Sequence, residues 1–112
     1  MEINNPILEK SINFGLKIVN LYKYLTEKNE FVLSKQILKS GTSIGANVVE
    51  AQRGFSHKEF LHKLNISLGE VSETRYWLYL LVKAQFIDEK MYTDIDKDCL
   101  ELEKILTSIL KK

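Results

Sequence analysis

The two histidines, His57 and His62, are the residues of this chain best suited to acid–base or metal chemistry. They stand five positions apart, so on one helix their side chains would point about 140° away from each other. A zinc site on a helix face needs ligands about one turn apart, with further ligands close by. No carboxylate triad accompanies the pair, and we therefore predict two surface histidines and no metal site.

The candidate nucleophiles are equally isolated in the sequence. Ser43 has no histidine within its local pattern, so it lacks the base that would activate its hydroxyl. Cys99 is the single cysteine, cannot form an intrachain disulfide, and falls at a core-periodic position, which predicts a small buried hydrophobe. The segment 41–45 resembles part of a phosphate loop, but no Lys-Ser follows it and no strand precedes it. We predict no enzyme active site, no cofactor and no small-molecule substrate.

An RNA-cleaving enzyme stays open as an alternative. Some small helical ribonucleases carry an arginine a few residues before a histidine. Arg53 and His57 have three residues between them, one fewer than the shortest spacing expected for that motif. The break at Gly54–Ser56 also places the pair across a helix boundary, so this hypothesis ranks below the others.

Helices are the elements that must position all of these residues. In the first helix the apolar residues recur at steps of three, four and seven, the period of one helix face, at Ile7, Phe14, Ile18, Leu21 and Leu25. The single proline, Pro6, is typical of a first helical turn, with Asn4 or Asn5 as its cap. The pattern predicts helices at about 6–28, 31–53, 57–84 and 88–111.

Cap signals and short connections define the arrangement of these helices. Ser56 and Glu59 form a capping box before the third helix, and Asp88 caps the fourth. Short loops between long helices imply antiparallel neighbours. We predict one domain, 1–112, with an all-α fold: an antiparallel up-and-down four-helix bundle.

Composition limits where the protein works and what it binds. Hydrophobic residues make up 45% of the 112 residues, enough for one core. No stretch approaches the ~20 apolar residues of a membrane span, and Glu2, Glu9 and Lys10 interrupt any signal-like run. We predict a cytoplasmic protein with no membrane contact.

The second helix has three distinct sides on a helical wheel. Its core stripe consists of Leu33, Ile37, Ile44, Val48 and Ala51. A polar ladder follows one edge of that stripe, at Gln36, Ser43, Asn47 and Glu50. Gly41 and Gly45 lie on the other edge, where each costs about 1 kcal/mol relative to alanine. We predict that another helix packs very close to these glycines; a local kink is the alternative.

Arg75 falls inside the core stripe of the third helix. A buried arginine needs a charged partner because it cannot lose its proton. Glu50 is the expected partner, in a structural polar network made of Ser43, Asn47, Glu50, Glu73 and Arg75. A ligand-binding or catalytic charge cluster is the alternative interpretation.

The third helix also carries a second apolar strip on its far side, at Ile66, Trp77, Leu80 and Ala84, beside Gly69 and Tyr76. Every helix of a lone four-helix bundle has a face toward solvent. A second apolar side therefore predicts a subunit interface, with Trp77 as its anchor.

A mild basic patch is the candidate nucleic-acid contact. The formal net charge is only +1, which argues against a general polyanion binder. The patch consists of Lys35, Lys39, Arg53, Lys58, His62 and Lys63. An ordinary solvated face is the competing interpretation, and RNA or DNA stays a candidate partner.

Three segments together resemble a known family. They are Ser40–Ala51, which reads SGTSIGANVVEA; Lys58–Leu64, which reads KEFLHKL; and Glu73–Leu78, which reads ETRYWL. The chain resembles, most specifically over residues 33–81, the four-helix-bundle proteins encoded by intervening sequences of bacterial 23S ribosomal RNA genes. It is also similar to the accessory variability determinant of diversity-generating retroelements, a basic pentameric barrel that binds nucleic acid and a reverse transcriptase.

The resemblance implies an up-and-down bundle that assembles into a closed ring, commonly a pentamer, and it implies no activity for most of the family. We therefore expect a non-enzymatic homo-oligomeric scaffold or binding module. The alternative is a nucleic-acid-binding accessory protein of a mobile element or reverse transcriptase.

Overall fold

The structure is a computed structural model that describes residues 5–112. Its four helices are α1 (Pro6–Glu27), α2 (Leu33–Ala51), α3 (His57–Lys83) and α4 (Glu89–Leu110). Helices α1 and α3 each pack against both α2 and α4, whereas the Cα atoms of the diagonal pairs stay more than 8 Å apart within the described residues. The helices thus occupy the corners of a square, with antiparallel neighbours joined by short turns. Residues 5–112 contain no strand, and the predicted all-α four-helix bundle is confirmed.

Side-chain caps fix where three of the helices begin. The Asn5 side chain, the Ser56 hydroxyl and the Asp88 carboxylate each accept a hydrogen bond from a backbone N–H in the first turn of α1, α3 and α4. Such a cap contributes about 1 kcal/mol. Each predicted helix boundary lies within two residues of the observed one. The alternative cap, Asn4, lies outside the described residues.

A buried carboxylate takes the place of the cap at the start of α2. Glu30 accepts hydrogen bonds from the backbone N–H groups of Val32, Leu33 and Ser34, at 3.2, 2.9 and 2.6 Å. Burial raises the pKa of the Glu30 carboxyl, but the backbone hydrogen bonds together outweigh burial and hold this pKa below its ordinary value. The predicted start at residue 31 is two residues early, because residues 31–32 belong to the turn that Glu30 closes.

The contact between α1 and α2 is unusually close. A Cβ atom built on Gly41 would lie 2.8 Å from the Cγ1 and Cγ2 atoms of Ile18, and one on Gly45 would lie 3.1 Å from the backbone oxygen of Ser11. Only residues without a side chain allow this approach. The predicted close packing at the two glycines is confirmed.

The core runs the whole length of the bundle and draws on every helix. Its largest fully buried side chains include Ile7, Ile18, Leu25, Ile37, Ile44, Leu64, Leu78, Leu81, Leu102 and Leu106. Cys99 is fully buried among them, as its core-periodic position predicts. None of the helices described is long and apolar enough to cross a membrane.

Candidate functional site

Arg75 reaches toward α4 rather than α2. Its Nε and Nη2 atoms donate to the two carboxylate oxygens of Asp96, at 2.8 and 3.4 Å. The Asp96 side chain is 12% exposed and that of Arg75 is 37% exposed. The hydrogen bond to Asp96 raises the pKa of the Arg75 guanidinium. The expected contact between Arg75 and Glu50 is therefore wrong, and the arginine is half-buried rather than enclosed.

The antiparallel register of α2 and α3 explains this correction. Glu50, near the end of α2, accepts a hydrogen bond of 2.9 Å from Lys63 Nζ, near the start of α3. Further along, the Ser67 hydroxyl donates to the backbone carbonyl of Ile44. Arg75 lies a further twelve positions beyond Lys63, which is about 18 Å along a helix. A side chain cannot span that separation, so Glu50 and Arg75 belong to different contacts.

The other members of the expected network bond within their own helices. The Ser43 hydroxyl donates to the Lys39 carbonyl at 2.6 Å, and the Asn47 amide donates to the Ser43 carbonyl at 2.8 Å. On α3, the Glu73 carboxylate accepts from the Trp77 indole at 3.1 Å. The five residues predicted as one network are thus divided between four separate contacts.

Two buried hydroxyls connect α2 and α3 instead. Ser67 bonds to the α2 backbone, and the Thr74 and Ser40 hydroxyls are hydrogen-bonded to each other at 2.9 Å. Both side chains are fully buried. The buried polar contacts between α2 and α3 are therefore made by neutral hydroxyls, which a sequence shows only as small residues on the core stripe, and not by the predicted charged network.

The predicted basic patch is exposed at most of its positions. Lys35, Lys39, Arg53, Lys58 and His62 are exposed, and within residues 5–112 none of them forms an ion pair. Lys63 differs, because it is half-buried and paired with Glu50. The patch therefore offers five unpaired side chains rather than six.

The outer side of α3 carries the expected apolar strip. Ile66 is exposed, Trp77 and Leu80 are half-buried, and the Tyr76 ring meets the Trp77 ring edge-on with centroids 5.0 Å apart. A Cβ atom on Gly69 would meet no atom within 4 Å. This glycine weakens the helix by about 1 kcal/mol without allowing any closer packing inside the bundle.

A second apolar strip, not predicted from the sequence, follows the outer side of α1. Leu16 is 62% exposed, and Ile12 and Val19 beside it are half-buried. Gly15 lies in this strip, and a Cβ atom there would again meet nothing within 4 Å. The steps of four and three between Ile12, Leu16 and Val19 indicate this strip in the sequence. It was not predicted because the core stripe of the same helix is the stronger pattern.

The residues with catalytic potential are dispersed. Burial raises the pKa of the Cys99 thiol to about 12, so the thiolate nucleophile is scarce at neutral pH. The His57 ring stacks on Phe60 with centroids 6.1 Å apart, and His62 is exposed five residues further along α3. Among residues 5–112, no three His, Cys, Asp or Glu side chains cluster in a way that could hold a metal ion.

Comparison with known proteins identifies relatives of the whole bundle. The family model of the 23S rRNA-intervening sequence protein matches residues 4–108. The structure is similar to the crystal structure of a protein of unknown function from the S23 ribosomal protein family of Bacteroides thetaiotaomicron. The two share 50% sequence identity over 95% of this chain and 99% of the other, with a TM-score of 0.93. Among curated proteins, no relative matches the chain.

Proposed function

The chain belongs to the family of 23S rRNA-intervening sequence proteins, and we propose that it acts as a non-enzymatic, homo-oligomeric scaffold or binding module. Five subunits in a closed ring is the assembly that the family resemblance implies. One observation carries the proposal: two different outer faces of the bundle are apolar, and each has an open glycine within it.

The placement of the two strips suits a ring. The α3 strip contains Ile66, Trp77 and Leu80, and the α1 strip contains Ile12, Leu16 and Val19. Because α1 and α3 are diagonal in the bundle, the strips face different directions. A closed ring uses a heterologous interface, in which one surface of a subunit meets a different surface of the next. The α3 strip of one copy would therefore pack on the α1 strip of its neighbour.

The glycines supply the steric part of this argument. Gly15 and Gly69 each leave backbone uncovered on the outside of a helix. A neighbouring helix can approach such a position closely and bury more apolar surface than it could against a larger residue. Trp77 lies two turns beyond Gly69 on α3, and tryptophan is one of the residue types enriched among the residues that contribute most to interface affinity.

Mass measurement in solution tests the assembly. Five chains of 13.0 kDa give about 65 kDa, which light scattering after gel filtration should report for the wild type at micromolar concentration. Trp77→Ala and Leu16→Ala should each shift the protein toward smaller species, since an interface anchor contributes about 2 kcal/mol or more. Leu100→Ala is the matched control, because Leu100 is exposed on α4, outside both strips. A monomeric wild type would refute the proposal.

A nucleic-acid-binding accessory protein is the second candidate function. Lys35 and Lys39 are exposed on α2, Arg53 is exposed in the turn that follows it, and none of the three has an ion-pair partner in the described part of the chain. A ring would repeat this patch in every subunit, and repetition converts a weak site into useful avidity.

Salt dependence tests this second candidate. Phosphate contacts release counterions, so affinity for RNA or DNA should fall steeply between about 50 and 200 mM salt. Replacing Lys35, Lys39 and Arg53 together by glutamine should flatten that slope. Replacing Lys90, Lys97 and Lys104 is the matched control: these are three exposed lysines on one side of α4 and give the same change in net charge. Equal slopes for the two triple variants would mean that the α2 patch makes no specific contribution.

A further inference from the structure

The turn between α2 and α3 displays an aromatic ring to solvent. Phe55 is 98% exposed, more than any other large hydrophobic residue described. Burial of a phenylalanine side chain stabilises a protein by about 1.5–3 kcal/mol, and Phe55 contributes none of this stabilisation within the bundle. The turn itself is ordered by its backbone, because the Gly54 N–H donates to the Ala51 carbonyl at 3.1 Å. The exposed phenylalanine is therefore carried by a hydrogen-bonded turn.

The local sequence offers Phe55 an apolar contact that the structure does not use. It precedes the cap residue Ser56, and Phe60 stands at the fourth helical position. Apolar residues at these two places normally pack together as a hydrophobic staple. Here Phe60 is half-buried and stacks with His57, and Phe55 points away. Phe55 is thus exposed although an apolar partner, Phe60, lies nearby.

The charges around the ring are predominantly positive. Arg53 and Lys58 flank it in the chain, are exposed, and form no ion pair within residues 5–112. Of the two nearby acids, Glu50 on α2 is paired with Lys63, and Glu59 in the first turn of α3 is half-buried. An exposed aromatic ring between unpaired cations is the combination that binds single-stranded nucleic acid, in which bases stack on the ring and phosphates meet the cations.

We propose that the Phe55 turn stacks one base of a single-stranded RNA or DNA, with Arg53 and Lys58 holding the adjacent phosphates. This deepens the nucleic-acid candidate above by naming the strand type and the contact. Because the turn lies at the end of the bundle, it stays open when the sides of the bundle pack into a ring. One end of a pentamer would then display five Phe55 side chains, one from each subunit.

Fluorescence anisotropy with labelled oligonucleotides tests the site. The probes are single strands of about 12 nucleotides, in RNA and DNA forms, and the matching duplexes, at about 50 mM salt. Phe55→Ala should weaken single-strand binding between about 5-fold and about 150-fold, the range expected for loss of one stacked base. Duplex binding should stay within about twofold, because duplex bases are already stacked. Comparing the RNA and DNA probes shows which strand is preferred.

Two further variants isolate the ring as the cause. Phe55→Trp should bind single strands at least as well as wild type, since a larger ring also stacks. Phe31→Ala is the matched control, because Phe31 is an exposed phenylalanine at the opposite end of the bundle and should leave binding unchanged. Circular dichroism should be the same for all of these variants, because neither ring packs in the core.

The possible failures are distinguishable. If Phe55→Ala binds single strands as wild type does, the stacking site is refuted, while the α2 patch is judged separately by its own triple variant. If Phe55→Ala lowers the mass in solution and leaves the affinity unchanged, the Phe55 side chain contacts a second copy of the chain instead of a base. That outcome also refutes the stacking site. If wild type binds no nucleic acid at about 50 mM salt, this site and the accessory-protein candidate both fall, but the ring assembly does not.

Discussion

The contact between α1 and α2 and the contacts of α3 hold the same bundle together by different means. At the first, Gly41 lies against the Ile18 side chain and Gly45 against the Ser11 backbone, so neither position has room for a side chain of its own. At the second, hydroxyls and charges reach across, as in the bond between Thr74 and Ser40 and the pair of Arg75 with Asp96. One contact is fixed by shape and the other by polar partners.

The difference predicts how each contact tolerates change. A steric contact is destabilised when an atom is added, because its closely packed neighbours have little room to move aside. A polar contact fails when one partner is removed, and the loss depends on how much water can reach the partner that remains. Substitutions should therefore cost most between α1 and α2 and least at the exposed pairs of α3.

Gly41→Ala should show the largest effect, about 2–3 kcal/mol lower stability in denaturant unfolding. The new methyl group would lie 2.8 Å from Ile18, near the base of a branched side chain that has little freedom to move. Gly15→Ala is the control, because its methyl group meets nothing and alanine favours the helix by about 1 kcal/mol. Equal effects of the two substitutions would mean that α1 and α2 are not in close contact.

Glu30→Ala should cost about 2 kcal/mol, since three backbone N–H groups at the start of α2 lose their acceptor. The pKa of Glu30 is lower in the folded protein than in the unfolded chain, so its stabilisation is present above the ordinary glutamate pKa of about 4.3. It is lost as the pH falls through the lower folded pKa. The stability difference between wild type and Glu30→Gln should accordingly shrink below pH ~4. A difference independent of pH would show that the carboxylate charge is not involved.

Asp96→Ala should cost about 1–2 kcal/mol, less than the removal of a fully buried partner. Arg75 is 37% exposed, so water can solvate it once its carboxylate is gone. Asp96→Asn keeps the shape of the side chain and one acceptor, so it should lower the stability less than Asp96→Ala does. Comparing the two variants separates the contribution of the charge from that of packing. A loss above about 4 kcal/mol would indicate that the arginine is enclosed after all.

Glu50→Ala should have the smallest effect, below about 1 kcal/mol. Its carboxylate is 56% exposed and pairs with one lysine, so solvent screens the attraction. A loss of stability as large as that of Asp96→Ala would contradict the expected order of effects. An exposed ion pair would then be fixing the register of α2 and α3.

The helices could be predicted from sequence because their signals are local. Apolar periodicity, Pro6 and the caps at Ser56 and Asp88 each act within a few residues of the feature they define. The spacing of Gly41 and Gly45 likewise predicted a close neighbour without identifying which helix it was.

The polar partners could not be predicted, because pairing depends on the register between helices. A wheel places Arg75 and Glu50 on facing sides but contains no information about height along the bundle, where they differ by about 18 Å. The cap role of Glu30 was hidden for a related reason, since it depends on how the turn folds back over the start of α2. The exposure of Phe55 contradicts the usual behaviour of phenylalanine, so only the structure could reveal it.

The buried thiol of Cys99 makes the bundle a reporter of its own opening. It is the single thiol of the chain, it has no access to solvent, and burial raises its pKa to about 12. A thiol reagent can therefore modify the native protein only during the brief intervals when α4 separates from its neighbours. Under conditions where reclosing is faster than the chemistry, the labelling rate is proportional to the population of open molecules. A spectrophotometric time course would then report the free energy of opening in plain buffer, without denaturant and without any introduced probe.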